Sequence, residues 1–246
     1  MQIIPRNYRP EIDGLRFVAV ISVILYHAQI TIFGFQPFKG GFIGVDIFFV
    51  ISGYLITSII LKELLEKGSF SFNNFYKRRI RRILPVLIFV MLVSVPFSWI
   101  YIYPIDLVGY SKSILYSLGF GSNYYFHYSG LEYGSPESLL KPFLHTWSLS
   151  VEIQFYIIWP IIVFLSYKIF KDNFLIAIIV IFSLSLFLSL ILSPRFEGYF
   201  YNPFLRLFEF IIGSFCIFFN KEIVKRYSDT IFIIGLSLIL YCLFFF

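Results

Sequence analysis

Apolar residues run along this chain in seven stretches of membrane-spanning size, and the polar residues inside them recur at helical spacing. The stretches lie at about 15–33, 43–61, 84–103, 147–168, 174–193, 204–220 and 230–246, against the roughly 20 residues a helix needs to cross about 30 Å of hydrocarbon. Phe, Leu and Ile runs of this length predict helices and not barrel strands, so the expected fold class is an all-α polytopic membrane protein. The connection at 104–146 is the one long loop. Its moderately apolar part, Asp106 to Phe126, is interrupted by Gly109, Lys112, Gly119 and Gly121, which predicts an interfacial or re-entrant helix rather than an eighth span. The stretch from Tyr128 to Pro136 is turn-rich and predicted at the surface. No internal repeat or low-complexity linker is present.

Four of the seven stretches carry a polar stripe. In the first, Asp13, Arg16 and His27 share one side of a helix, and Arg16 lies about 16 Å from His27 at helical rise. In the second, Asp46, Gly53 and Thr57 stand at i, i+7 and i+11. His145, Ser148, Glu152 and Tyr156 do the same in the fourth, as do Arg206, Glu209 and Gly213 in the sixth. An ionisable group facing lipid is costly, so we expect the stripes to converge on one internal cavity. A blander reading applies residue by residue. Asp46 fits an interfacial anchor that snorkels, and His145 fits an interfacial position beside Trp147. Gly40 and Gly44 match a small-xxx-small spacing, with a tight turn the favoured reading.

Composition and charge narrow the class. At 59% hydrophobic and 14% charged, with a mean hydropathy of +0.82, the chain is far from the roughly 25% charge of soluble domains. The net charge of +6 does not imply nucleic acid. Fourteen of the 20 Lys and Arg fall in the N-terminal tail and the segments between the second and third, fourth and fifth, and sixth and seventh stretches. That asymmetry predicts a cytoplasmic N-terminus. Cys216 and Cys242 both lie in apolar runs, so a disulfide is not expected. The first apolar run is too long for a signal-peptide core and reads as a retained span.

Lys77-Arg-Arg-Ile-Arg-Arg82 precedes the third stretch. Positive-inside flanking alone accounts for such a run. Its near-exclusive use of Arg, with Arg78, Arg79 and Arg82 at i, i+1 and i+4, equally fits a phosphate-binding group. No metal-ligand spacing, phosphate-cradling Gly-rich loop or nucleophile elbow is present. No permanently bound cofactor is expected.

Taken in order, the blocks resemble one family. Tyr8-Arg-Pro-Glu-Ile-Asp-Gly-Leu-Arg16 through His27, Gly40-Gly-Phe-Ile-Gly-Val-Asp46 on to Ile56, Phe75-Tyr-Lys-Arg-Arg-Ile-Arg-Arg-Ile-Leu-Pro85 and His145-Thr-Trp-Ser-Leu-Ser-Val-Glu152 are similar to the membrane-bound acyltransferase family 3. Arg206-Leu-Phe-Glu209 with Gly213 is a weaker echo. The sequence departs at Lys141, Ile153 and Phe208, where Asn, a second Glu and Trp are common, so Glu152 stands as the single carboxylate of its block.

The resemblance implies a bacterial inner-membrane O-acyltransferase. Such enzymes take an acyl group, usually acetyl, from cytoplasmic acyl-CoA. They deliver it outside to a hydroxyl of a cell-surface glycan such as lipopolysaccharide O-antigen, exopolysaccharide or peptidoglycan. Acetyl-CoA is then a donor substrate, and the partners are the glycan or its lipid-linked form and membrane lipid. The family's Arg–ten residues–His element falls on Arg16 and His27, and its acyl-CoA Arg–x–x–Arg element on Arg79 and Arg82, with Arg78 adjacent. His27 is expected as general base or transient acyl carrier, with Asp46, Glu152 or Tyr156 to orient the imidazole and Arg16 and His145 also in the catalytic set. The pantetheine arm is expected along the Asp13/Arg16 stripe. The family domain usually has about ten spans, so 8–246 is expected to be a truncated domain without the SGNH-like domain many members carry. A lipid-linked glycan flippase and an inactive fragment are the alternatives; the first predicts inverted repeats, which the chain lacks.

Overall fold

The computed structural model describes residues 9–130, 133–170, 173–192, 199–219 and 221–245. Tyr8 of the first motif, residues 131–132 of the turn-rich stretch, position 246 of the last apolar run, and Arg6, Lys171 and Arg195 among the basic residues lie outside them. Among the described residues the protein is helical, and the one β feature is an isolated bridge between Ile32 and Phe35. The helices are α1 (Pro10–Ala28), α2 (Ile43–Lys67), α3 (Phe72–Tyr101), α4 (Pro104–Leu118), α5 (Ser122–Tyr128), α6 (Pro136–Leu139), α7 (Thr146–Phe170), α8 (Phe174–Leu192), α9 (Pro203–Phe215), α10 (Lys221–Arg226) and α11 (Ser228–Phe245). They form two compact units, one from Met1–Lys62 with Phe208–Phe246 and the other from Glu63–Leu207.

Each of the seven expected spans contains a helix, yet among the described residues five helices are long and apolar enough to cross a membrane: α2 with its preceding turn, α3, α7, α8 and α11. The protein is thus an all-α, multi-pass membrane protein. The two exceptions have physical causes. Helix α1 carries Glu11, Asp13 and Arg16 in its first half, and α9 has 13 residues, about 20 Å at helical rise against about 30 Å of hydrocarbon. Helix α1 also begins and ends about five residues before its apolar run does. Pro10 sits at its start, where a missing N–H costs nothing, and Gln29 closes it in the left-handed region at φ 47°. His27 therefore occupies the last turn. Helix α3 starts twelve residues earlier than its apolar run, so the basic run is helical; Arg and Lys are good helix formers.

Helix α4 spans 15 residues and breaks at Gly119–Gly121, where Phe120 takes φ 53°, before α5 resumes.

In the first unit, small residues set the helix spacing. A Cβ on Gly44 would strike the Ala19 carbonyl of α1, and one on Gly41 the Ser22 carbonyl. Gly41 sits in the turn Lys39–Phe42, so this segment serves both as turn and as close packing surface. Helices α2 and α9 cross through a reciprocal glycine contact: a Cβ on Gly53 would overlap the Phe210 carbonyl, and one on Gly213 the Val50 carbonyl. Phe49 stacks on Phe210 at 4.5 Å, and the Thr57 and Ser214 hydroxyls share a hydrogen bond of 2.7 Å. Gly53, Thr57 and Gly213, read from sequence as cavity-lining stripe members, are instead helix-crossing residues. Gly213→Val is expected to lower the unfolding midpoint of the detergent-purified protein sharply. The clash is with backbone, so the cost sits at or above the roughly 1–3 kcal/mol of ordinary overpacking.

The second unit is tied by buried polar groups that water cannot serve. Ser117 of α4 bonds Thr146 (2.7 Å), Thr146 donates to Ser122 (3.0 Å), and Ser122 shares a bond with Ser150 (2.8 Å). Asn123, fully buried, donates to the Tyr201 carbonyl at 3.1 Å, and its Oδ1 accepts from Gln154 at 2.9 Å. Interhelical hydrogen bonds of this kind replace hydration in an apolar surround. Asn123→Leu is expected to cost about 1–3 kcal/mol for the carbonyl and amide left behind, read as a lower thermal midpoint with the helix content retained.

Candidate functional site

Helix α3 presents Arg79, Arg82, Ile83, Val86, Leu87 and Val90 to one cavity of about 360 Å³ in the second unit. Those positions are i, i+3, i+4, i+7, i+8 and i+11, a single helical face. From the facing chain come Phe143, His145, Thr146, Leu149, Glu152 and Tyr156. His145, Leu149, Glu152 and Tyr156 again follow i, i+4, i+7 and i+11.

The two faces run antiparallel. At one end the Arg79 guanidinium lies 5.5 Å from the Tyr156 ring and 5.5 Å from the Phe75 ring. At the other, Phe143 packs in one apolar cluster with Leu87 and Met91, and the His145 ring stacks on Phe143 at 6.1 Å. The cavity is therefore an apolar trough with guanidinium groups at one end and an imidazole at the other. Eleven helical residues separate the ends, about 16 Å.

Each polar group is held. Two aromatic faces fix the Arg79 guanidinium by cation–π contact while leaving its edge able to fork onto an anion. The Tyr156 hydroxyl donates to Glu152 Oε1, setting that carboxylate in the wall. Arg82 is exposed and Arg79 half-buried; Arg78 is exposed and does not line the cavity. His145 is exposed at the mouth, and its carbonyl accepts from Ser148 Oγ at 3.1 Å, so Ser148 serves the chain turn and not the cavity wall. Ile153 is buried on another side of α7 from Glu152.

The first unit holds the other expected residues. Arg16 Nη1 donates to Asp13 Oδ1 at 2.9 Å, a partly exposed i, i+3 ion pair. His27 Nδ1 lies 2.8 Å from the Val23 carbonyl. A carbonyl only accepts, so Nδ1 carries a proton, and in the neutral form this tautomer has its lone pair on Nε2. The Tyr26 ring meets the imidazole edge-on at 5.2 Å. Asp46 is half-buried in the first turn of α2, two residues after the glycine packed on α1. Arg9, outside the expected set, ties to α2 through a 2.6 Å hydrogen bond to the Tyr54 hydroxyl. In the second unit Arg206 lies over the Phe200 ring at 4.4 Å, while Glu209, in the first, is buried.

Of the residues expected from sequence, the structure brings Arg79, Arg82, His145, Glu152 and Tyr156 to one cavity; the aromatic contact of Phe75 with Arg79 and the apolar walls from α3 were not among the expectations. The signal was there: the face that begins at Arg79 continues unbroken to Val90. Among the described residues no three His, Cys, Asp or Glu gather as a metal site.

Comparison with known proteins adds identity. A family described as acyltransferase domain matches residues 9–246. The chain is 41% identical over 176 residues to a peptidoglycan O-acetyltransferase OatA of Listeria monocytogenes, covering 72% of this chain and 27% of the relative. It is 30% identical over 241 residues to O-acetyltransferase OatA of Staphylococcus aureus, covering 94% and 39%. A putative peptidoglycan O-acetyltransferase YrhL of Bacillus subtilis is 36% identical over 213 residues, covering 84% and 32%. The chain thus spans less than half the length of these relatives. No solved structure matches.

Proposed function

The chain belongs to the membrane-bound acyltransferase family 3, and from that premise we propose that it is an O-acetyltransferase moving acetyl from acyl-CoA to a hydroxyl of peptidoglycan. The carrying observation is the α3–α7 trough, with Arg79 and Arg82 at one end, His145 at the other and apolar walls between. Guanidinium groups suit CoA phosphates, bidentate and always charged. The walls from Ile83 to Val90 suit the acyl-pantetheine arm, whose reach is on the scale of the trough. This path is supported by an apolar-walled cavity, whereas the Asp13/Arg16 stripe is a partly exposed ion pair.

His27 is the proposed general base, with Nε2 as the accepting nitrogen. The acceptor hydroxyl gives its proton to Nε2 while its oxygen bonds to the acyl carbon. The thioester C–S bond breaks, and the leaving thiolate takes the proton back from the imidazolium. Glu152 and His145 line the trough, where the first holds charge near the guanidinium groups. Asp46 is assigned to orienting a reacting group in the first unit. A His suits this exchange because its pKa lies near neutrality.

One named relative is described as a peptidoglycan O-acetyltransferase and another as a putative one, so the acceptor assignment moves from lipopolysaccharide O-antigen to peptidoglycan. The basic asymmetry supports a cytoplasmic N-terminus and acyl-CoA entry from that side, in the bacterial inner membrane that the family resemblance implies. Membranes carrying the protein, given isotope-labelled acetyl-CoA, are expected to place base-labile label on peptidoglycan. Label confined to lipopolysaccharide would overturn the acceptor assignment. Glycan translocation without acetyl-CoA dependence would overturn the enzyme in favour of a flippase.

A further inference from the structure

A second cavity, of about 610 Å³, lies in the same unit where α3 ends and α4 begins. No residue of the proposed donor trough lines it. Its size falls within the roughly 300–1,000 Å³ of small-molecule sites.

Its floor is aromatic and fixed. The Tyr110 hydroxyl shares a 2.8 Å hydrogen bond with Ser94, and the Tyr125 hydroxyl donates to the Gly109 carbonyl at 3.2 Å. Tyr110 and Phe126 are buried. The rim is open: Tyr101 and Tyr103 are each 77% exposed, and neither phenol has a hydrogen bond among the described residues.

Three charged groups complete the wall. Asp106 and Lys141 form an ion pair at 3.6 Å, with side chains 51% and 40% exposed. That separation is longer than a hydrogen bond, so the ammonium keeps donors and the carboxylate keeps acceptor sites for a hydroxyl in the cavity. Glu137 is exposed and has no ion pair among the described residues. Two carboxylates against one ammonium leave the cavity net negative, which opposes a phosphate or an anionic lipid headgroup. An interfacial aromatic belt explains exposed tyrosines at a span end. It does not explain carboxylates converging with a hydrogen-bonded aromatic floor.

Aromatic faces with carboxylates between them are the chemistry that takes a pyranose: C–H faces stack on rings, and hydroxyls donate to the carboxylates. We propose that this cavity binds a pyranose of the acceptor glycan. The inference rests on the proposed acetyl transfer to peptidoglycan and gives that reaction its second substrate site. Its position fits. Tyr110 meets Phe143 ring to ring at 5.7 Å, and Phe143 is the residue that lines the donor trough beside His145. One short segment, Lys141 to His145, borders both cavities, and the Tyr110–Phe143 pair divides them.

The test uses the full protein in nanodiscs, with a muramyl disaccharide fragment of peptidoglycan as ligand, followed by saturation-transfer NMR. The fragment is expected to bind, and Asp106→Ala with Glu137→Gln is expected to weaken it at least tenfold. The same double variant is expected to raise acceptor KM tenfold with acetyl-CoA affinity unchanged. Tyr103→Phe, which keeps the ring, is expected to bind like the parent, and Tyr103→Ala to bind weakly. Equal fragment binding by the parent and the double variant would overturn the site. Displacement of the fragment by glycerol phosphate but not by free N-acetylglucosamine would overturn it in favour of a lipid headgroup. Variant-sensitive sugar binding without any acetyl transfer would retain the site and remove the proposed reaction.

Discussion

His27→Ala is expected to reduce peptidoglycan acetylation by about 10²–10⁴-fold, the usual worth of a positioned general base. The ring is set for that role by the Val23 carbonyl, which holds the proton on Nδ1 and leaves the lone pair on Nε2. Ester release from cell walls, normalised to protein level by immunoblot, is the measurement. Acetyl-CoA affinity is expected to stay within twofold, because the proposed donor groups belong to the other compact unit. Wild-type acetylation by the variant would sink the assignment. A loss of acetyl-CoA affinity equal to the loss of transfer would move His27 from chemistry to donor binding.

Removing both guanidinium groups, Arg79→Ala with Arg82→Ala, is expected to weaken acetyl-CoA binding by about 10²-fold. Two hydrogen bonds to charged groups are worth roughly 3–6 kcal/mol together, and the estimate is discounted because Arg82 is exposed. Lys at both positions is expected to recover only part of this, since an ammonium neither forks onto phosphate nor lies flat between the Phe75 and Tyr156 rings. Lys77, Arg78 and Arg81 remain in the double variant, so membrane orientation is expected to persist. Arg78→Ala alone is expected to change donor affinity little, because Arg78 does not line the trough. Equal losses at Arg78 and Arg79 would indicate a diffuse basic surface and not a built site.

What was legible along the chain was whatever a single helix carries within itself. The spacing from Arg79 to Val90 and from His145 to Tyr156 is local, so the face that each presents can be read from residue order. The break at Gly119–Gly121 was readable for the same reason, since glycine clusters interrupt a helix wherever it packs. Gly53, Thr57 and Gly213 show the limit. A small or polar residue repeating on one face fits a cavity wall and a helix crossing equally well. The choice was made by the Phe210 and Val50 carbonyls, which come from partner helices about 160 residues away in sequence. Arg78 and Arg79 make the same point on a finer scale. They are neighbours of identical chemistry, and only the Phe75 and Tyr156 rings single out Arg79.

The sequence by itself determined an all-α membrane protein, its apolar runs, its acyltransferase resemblance and the polar residues to watch. It did so because the bilayer forces backbone hydrogen bonds inside each segment, making every span a nearly independent pattern. Tertiary structure alone decided which faces met, and so it separated residues that line the α3–α7 trough from residues that pack helices together. It also created the tyrosine-floored cavity, whose members from Tyr101 to Lys141 share no periodicity and converge only when α3, α4, α5 and the following turn close upon one another.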